Sequence, residues 1–282
     1  MSALRDAIGH AHAPCGDAPR IACVVPSITE LLFDLGLSDC VVARTGFCIH
    51  PAPQVLNIPK VGGTKDVNIK KLLALQPTHL IVNIDENRKE LVAELRERAP
   101  QIDIIVTHPR APEDNAALYS LLGALFHRNV EAATLSAALS NALTHASAAC
   151  ATLPRERVLY LIWKDPWMTV GADTYVARTL AAVGWECAQP DGTQDRYPSL
   201  FEHNALWQTV DRVLLSSEPY AFRENHVAEI ANLAPRASIH LIDGELTSWY
   251  GSRAIPSLRA LAHFRLDCAR RATVTTRAAA AN

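Results

Sequence analysis

Two tryptophans frame the turn Trp163-Lys164-Asp165-Pro166-Trp167, directly after an apolar run of strand length over 158–162. Rings of this size bring broad apolar area at low entropic cost and an indole N–H for a polar substituent, which suits a flat macrocyclic ligand. The plainer alternative is that one or both pack the end of the strand beneath a sheet. A second aromatic group, Ser248-Trp249-Tyr250-Gly251-Ser252-Arg253, follows another strand-like run at 238–242 and the turn residues Asp243-Gly244. This spacing puts Trp249 and Tyr250 on a rim loop. Arg253 there can hold a carboxylate or phosphate through two parallel hydrogen bonds, or pair internally with Glu218 or Glu245. Ser217-Glu218-Pro219-Tyr220-Ala221-Phe222-Arg223 mixes rings with a cation after a third strand, so Tyr220 and Arg223 join the recognition candidates. Glu86 and Asn87 follow a strand over 79–82 and either cap the next helix or touch a ligand.

Metal ligation has two places to arise. His10-Ala11-His12-Ala13-Pro14-Cys15 gathers two imidazoles and a thiol within six residues, and Cys48 lies close to His50. Neither has zinc-finger spacing. The first group is expected in a solvated N-terminal tail. His50 is a weak candidate for an axial ligand to a bound metal complex, against the plainer reading of a loop imidazole bonded to backbone. Whether protein atoms hold a metal stays open. There is no G-x-S-x-G elbow, Walker loop, G-x-G-x-x-G fingerprint or H-E-x-x-H helix. No catalytic residue and no intrinsic cofactor is therefore assigned, because binding needs only a complementary cleft.

The elements that must carry these residues alternate. The patterns predict a strand over 21–25, then a helix to residue 35 that ends at Gly36, with Ser27 as N-cap and Glu30 closing a capping box. Helix over 68–75, strand over 79–82, helix over 86–98, strand over 103–106 and helix over 114–126 continue the series. Residues 131–151 are alanine-rich without Gly or Pro, and Leu135, Leu139 and Leu143 share one face. One helix of about 30 Å is expected there, either a strut joining two lobes or an ordinary core helix. A second series follows: strand 158–162, helix 174–183 closed by Gly184, strand 212–215, helix 226–233, strand 238–242 and a last helix over 256–268. Such alternation means mostly parallel sheets covered by helices, an α/β protein. The expected organisation is a flexible tail over 1–20, an N-terminal lobe over 21–130, a connecting helix over 131–153, a C-terminal lobe over 154–270 and a disordered tail over 271–282.

The chain has 282 residues, enough for two lobes. Its 27 basic and 29 acidic residues leave a net charge of −2 and form no basic block, which argues against nucleic acid as a partner. No apolar run approaches the ~20 residues of a membrane span, so no membrane insertion is expected. The first residues lack the basic and apolar regions of a secretory signal, and seven cysteines are scattered without a disulfide framework. A cytoplasmic location is expected, or a periplasmic one if a signal has been removed or the start lies upstream.

In order, Pro26-Ser27-Ile28-Thr29-Glu30, Gly62-Gly63-Thr64-Lys65-Asp66 and the run from Leu72 through Gln76-Pro77-Thr78-His79 to Ile81 resemble the N-terminal lobe of the vitamin B12 and ferric-siderophore receptors. These are class III periplasmic-type substrate-binding proteins, also known as helical backbone metal receptors. The resemblance continues through Tyr160-Leu161-Ile162-Trp163, Thr169-Val170-Gly171-Ala172-Asp173-Thr174 and Gly184-Trp185 to the Ser248–Arg253 segment. It implies two lobes joined by one long backbone helix, with a small-molecule ligand in the cleft between them, at loops following the parallel strands. The candidates are then Ser27, Phe47, His50, Gly63, Thr64 and Glu86 from the first lobe, and Trp163, Trp167, Tyr220, Arg223, Trp249, Tyr250 and Arg253 from the second. The implied function is binding of a metal chelate (cobalamin or another corrinoid, a haem-like ring, or an iron-siderophore) without catalysis. Two alternatives stand beside it: the receptor subunit of an ABC importer, with a permease as partner if the protein is exported, and a tetrapyrrole-processing enzyme such as a chelatase using His50 with Glu86.

Overall fold

Short apolar runs that are buried on both faces and linked by helices have one economical arrangement, a parallel sheet between helical layers. The chain adopts it twice. The computed structural model describes residues 4–201 and 204–280. It divides into two compact units, the first made of Met1–Pro109, Glu113–Leu139 and Tyr250–Arg253, the second of Arg110–Pro112, Ser140–Trp249 and Ala254–Asn282.

In the first unit, β1 (Leu4–Arg5) and β2 (Ala11–His12) form a hairpin. A four-stranded parallel sheet follows, built from β3 (Ile21–Cys23), β4 (Val41–Arg44), β5 (His79–Asn83) and β6 (Asp103–Thr107), in the order β4-β3-β5-β6. Every residue of β3 and β5 is buried, as strands covered on both faces require. The intervening helices are α1 (Pro26–Asp34), α2 (Ile69–Ala74), α3 (Lys89–Arg98) and α4 (Asn115–Leu125).

Helix α1 departs from expectation at its start. Val25 is the N-cap and makes no side-chain cap, and Pro26 sits in the first turn, where its missing N–H costs nothing. The capping box of Ser27 and Glu30 does not form, because Ser27 already lies inside the helix. Its end is as read: Gly36 has φ +71°, and the amides of Gly36 and Leu37 close on the carbonyls of Phe33 and Leu32, each at 2.8 Å. Asn68 caps α2 by accepting the Lys71 amide at 2.9 Å.

The N-terminal residues expected to be flexible are built into the unit. Strand β6 has no neighbour on its outer side within the sheet, and the hairpin satisfies that edge: the Ala7 amide donates to the Val106 carbonyl at 2.9 Å, and the Val106 amide to Asp6 Oδ2 at 3.1 Å. Asp6 and His12 are buried in consequence.

Helix α5 (Asn129–Cys150) is shared, its residues to Leu139 belonging to the first unit and those from Ser140 to the second. The second unit repeats the first in β7 (Glu156–Trp163), β9 (Trp185–Cys187), β11 (Arg212–Ser216) and β12 (Ser238–Ile242), all parallel and paired as β9-β7-β11-β12. Beyond its pairing with β9, β7 turns back into the antiparallel β8 (Trp167–Thr169), which pairs with β10 (Ser199–Leu200). Its helices include α6 (Tyr175–Ala181), α7 (Leu206–Thr209), α8 (Glu224–Leu233) and α9 (Glu245–Ser248). The last helix, α10 (Ala254–Ala280), runs well past the expected stop near Cys268. Alanine and arginine favour helix there and no Gly or Pro interrupts it. Among the described residues no helix is long and apolar enough to cross a membrane.

At the amino ends of its strands the second unit buries a charged knot. Glu156 accepts from Arg212 Nε at 2.9 Å and from Trp185 Nε1 at 2.9 Å, with Arg265 Nη1 3.1 Å away. Burial pushes the Glu156 carboxyl up, but the Arg212 and Trp185 hydrogen bonds and the two positive charges outweigh it and leave it below its ordinary value.

Candidate ligand-binding site

In the order β4-β3-β5-β6 the chain leaves β3 toward one side and returns to place β5 on the other, so the loops after β3 and β5 diverge. A crevice at such a fork is where ligands bind in open parallel sheets. Asn87 holds the fork together in the first unit: its amide donates to the carbonyls of Val24 at 3.2 Å and Thr64 at 2.9 Å, while its oxygen accepts the Asn83 amide at 2.8 Å. It caps the end of β5; the first turn of α3 has no side-chain cap. Glu86, one residue earlier, accepts a hydrogen bond from the Tyr250 hydroxyl, and Ser27 lies beside the same phenol. Burial, then the Glu86 charge, push that phenol well above its ordinary value. Ser27, Glu86 and Tyr250 are thus brought together.

Tyr250 is carried by a short clamped segment. The Gly251 amide donates to Asn115 Oδ1 at 2.6 Å and its carbonyl accepts from the Tyr119 hydroxyl at 2.8 Å. Gly251 has φ +73°, and a Cβ there would stand 3.0 Å from the Ser27 carbonyl oxygen, so only glycine fits. Arg253 makes the two-pronged pair expected of it, but with Glu30, at 2.7 Å from each prong, rather than with Glu218 or Glu245. Around this polar centre the strand-end loops expose Phe47 (62%), Ile49 (44%) and Ile84 (45%). Gly63 faces the Phe47 ring closely enough that a Cβ would touch it at 3.4 Å. Thr64 contributes its carbonyl to Asn87. His50 is half-buried and, among the described residues, belongs to no group of three ligating side chains.

The second unit repeats the fork between β7 and β11. Here Trp163, 42% exposed, meets Tyr220 edge to face at 5.7 Å. Tyr220 contacts His226 Nε2 at 3.3 Å, and His226 Nδ1 accepts the Arg223 amide at 2.9 Å, which leaves the Arg223 side chain exposed at the start of α8. Lys164 donates to Glu229 at 2.6 Å. Trp167 takes the plainer of its two roles: it is buried, stacked on Phe222 at 6.1 Å and edge-on to Trp207 at 6.2 Å. Trp249 and Tyr250 are not rim residues, being only 9% and 7% exposed. Short α9 turns each inward, Trp249 into the second unit and Tyr250 into the first. Trp249 Nε1 and Ser248 Oγ both donate to Glu218 Oε1, at 3.1 and 2.6 Å. Burial first, and the nearby Glu245 and Asp243 charges, raise the Glu218 carboxyl above its usual value despite those donors.

Sequence reasoning gave Glu218 and Asn87 lesser parts. Glu218 stands two residues after the end of β11, where the strand-end rule alone would have marked it. A surface depression of about 430 Å3, lined by Leu73, Gln76, Thr78, Arg98 and Ile102, lies at the opposite ends of the first unit's strands and contains none of these side chains.

Two mostly parallel sheets with the same forked order of parallel strands, linked by one long helix and each carrying its polar and aromatic groups beyond the carboxyl ends, define a two-lobed binding-protein architecture. A periplasmic binding protein family model matches residues 21–218, and the chain belongs to that family. A vitamin B12-binding protein of Vibrio cholerae serotype O1 is 34% identical over 80 residues, 28% of this chain and 29% of that relative's length. The match therefore spans under a third of that protein. Among solved structures, the periplasmic vitamin B12 binding protein of Vibrio cholerae superposes with a TM-score of 0.75 at 17% identity, covering 88% of this chain and 96% of its own. The apo form of a periplasmic heme-binding protein from Roseiflexus sp. RS-1 gives 0.76 at 19% identity, covering 89% and 98%.

Proposed function

We propose that the protein binds a metal chelate with a flat organic ring, a corrinoid or haem, and releases it unchanged. The observation that carries this reading is the pair of forks with exposed aromatic or apolar groups at their mouths, Phe47 with Ile49 and Ile84 in one unit and Trp163, backed by the half-buried Tyr220, in the other. Exposed rings of this size on strand-end loops suit stacking on a macrocycle, and Glu86, Tyr250 and Arg223 are suited to its polar substituents. The similarity to vitamin B12- and heme-binding proteins supports the ligand class. An iron-siderophore remains the third candidate ligand. In this reading no residue acts as a catalyst, and a chelatase role is disfavoured because Glu86 already receives the Tyr250 proton donor.

Delivery to an ABC permease is the second reading, favoured by the family itself, whose members are periplasmic. A reducing, cytoplasmic setting is the reading suggested by seven free cysteines. Cell fractionation of the natively expressed protein separates these two. The ligand is tested by absorbance and calorimetric titration with cobalamin, haemin and a ferric siderophore. Saturable 1:1 binding to one of the first two, with the ligand recovered intact, is expected; absence of binding to all three would overturn the proposal.

A further inference from the structure

The N-terminal hairpin brings together residues far apart in the sequence. His10 and His12 are two apart along an extended segment, so their side chains leave on one side, and their rings meet edge to face at 4.9 Å. Asp103, the first residue of β6, places its carboxylate oxygens 2.7 and 2.9 Å from His12 Nδ1. One ligating atom from each of His10, His12 and Asp103 lies within 4.8 Å of the others. His10 and Asp103 also line a depression of about 290 Å3 with Arg96, Pro100 and Gln101, which leaves the group open to solvent on one side.

We propose that His10, His12 and Asp103 form a surface site for a divalent transition-metal ion of the zinc type, separate from the strand-end loops. Two imidazoles and one carboxylate suit such an ion, with water completing a tetrahedron. An ion at about 2.1 Å from each donor sets tetrahedral ligands about 3.4 Å apart. The Asp103–His12 contact must therefore open by about half an ångström or slightly more and the exposed His10 ring must swing inward, both small movements. The ligating form of His12 is the neutral tautomer with its one proton on Nε2, which leaves Nδ1 bare for the ion.

The far side of His12 supplies an independent observation. Among the described residues its Nε2 is buried without a hydrogen bond, with Asp6 Oδ2 3.4 Å away. A metal on Nδ1 requires the proton on Nε2, where it faces that carboxylate. This is the arrangement of a carboxylate orienting a ligating histidine. Asp6 is itself held by the amides of Ile8, His10 and Val106, at 3.1, 2.8 and 3.1 Å, so the orienting group is fixed by backbone. Because the hairpin covers the edge of β6, an ion here also ties the N-terminal residues to the sheet.

The test is calorimetric titration of the untagged, chelator-treated protein with Zn2+, alongside Co2+ followed by visible absorbance. One ion per chain is expected, with affinity falling by at least about tenfold in His10→Ala and in Asp103→Asn. His10 is exposed, so its substitution leaves the fold intact and decides the matter even if Asp103→Asn loosens the hairpin. His50→Ala should bind as wild type does. No saturable binding by the wild type, undiminished binding by His10→Ala, or loss of binding in His50→Ala would each overturn the site.

Discussion

The two units share a strand order and differ in how they treat its two ends. At the amino ends, the second unit closes Glu156, Arg212 and Arg265 into a buried charged knot, whereas the first unit uses Asp103 and His12 beneath a surface hairpin. At the carboxyl ends the roles change. The first unit gathers Ser27, Glu86 and Tyr250 into a hydrogen-bonded centre with apolar residues around it; the second presents Trp163 against Tyr220 and sinks a carboxylate, Glu218, between the donors Ser248 and Trp249. One topology thus offers two chemistries, polar anchoring and aromatic stacking. The strand order determines where a site arises, and the loop residues determine what it can hold.

The largest effect expected from breaking this comparison lies at the amino ends. Glu156→Ala strands two buried guanidinium groups and should cost about 3–5 kcal/mol of unfolding free energy, read from urea unfolding. Asp103→Ala, the corresponding cut in the first unit, should cost about 1–3 kcal/mol, because it removes a partly exposed acceptor from a single imidazole rather than stranding two guanidinium groups. The sign with pH follows: the Glu156 carboxyl is depressed in the folded state, so its contribution is present above its unfolded value of 4.5 and lost as pH falls through its folded value. Equal losses for the two variants would show that the two amino ends are held alike.

Second in size is the aromatic fork. Trp163→Ala should weaken binding of the cobalamin or haemin that titrates by about 30-fold, the worth of a well-placed aromatic anchor, with the unfolding midpoint little changed because the ring is exposed. Trp167→Ala should do the reverse: about 3–5 kcal/mol less stable, since its ring lies in the core against Phe222 and Trp207. Wild-type affinity in Trp163→Ala would move the stacking role away from this fork.

Much of this was legible in the sequence, and the rest failed for local reasons. Strand and helix alternation, the glycine stop at Gly36 and the long helix all follow from short-range chemistry that acts the same in any fold. The N-terminal hairpin was missed because its strands are two residues each and their partner is the free edge of β6, about 90 residues away; nothing local signals that. Trp167 and Trp163 look equivalent in sequence, but β8 folds back on β7 and turns alternate residues to opposite faces, so one ring is core and the other exposed. Tyr250 and Arg253 were rightly marked as noteworthy, yet their partners Glu86 and Glu30 lie more than 160 residues away, at 164 and 223 positions, and pairing at that distance has no sequence signature.

A smaller effect distinguishes the polar centre of the first unit. Tyr250→Phe removes the donor to Glu86 and should cost about 1–2 kcal/mol, less than a fully buried charged pair because Glu86 keeps partial access to water. If the centre also grips ligand, affinity falls with stability; if it only locks the Gly251 segment, stability alone changes.

The smallest effect is also the most specific to the second unit. Glu218 is raised above its unfolded value of 4.5 by burial and by Glu245 and Asp243, with no cation paired to it among the described residues, whereas the first unit's Glu30 is matched by Arg253. A carboxyl raised in the folded state contributes stability that is complete below 4.5 and is lost as pH rises through its folded value. Glu218→Gln keeps the oxygen that accepts from Ser248 and Trp249 but carries no charge. It should therefore raise the thermal midpoint at pH 7 by about 1–3 °C and give no gain at pH 4. A loss at pH 7 that vanishes at pH 4 would mean that the second fork, like the first, is stabilised by its charge rather than burdened with it, whereas an equal loss at both pH values would assign the effect to the acceptor geometry alone.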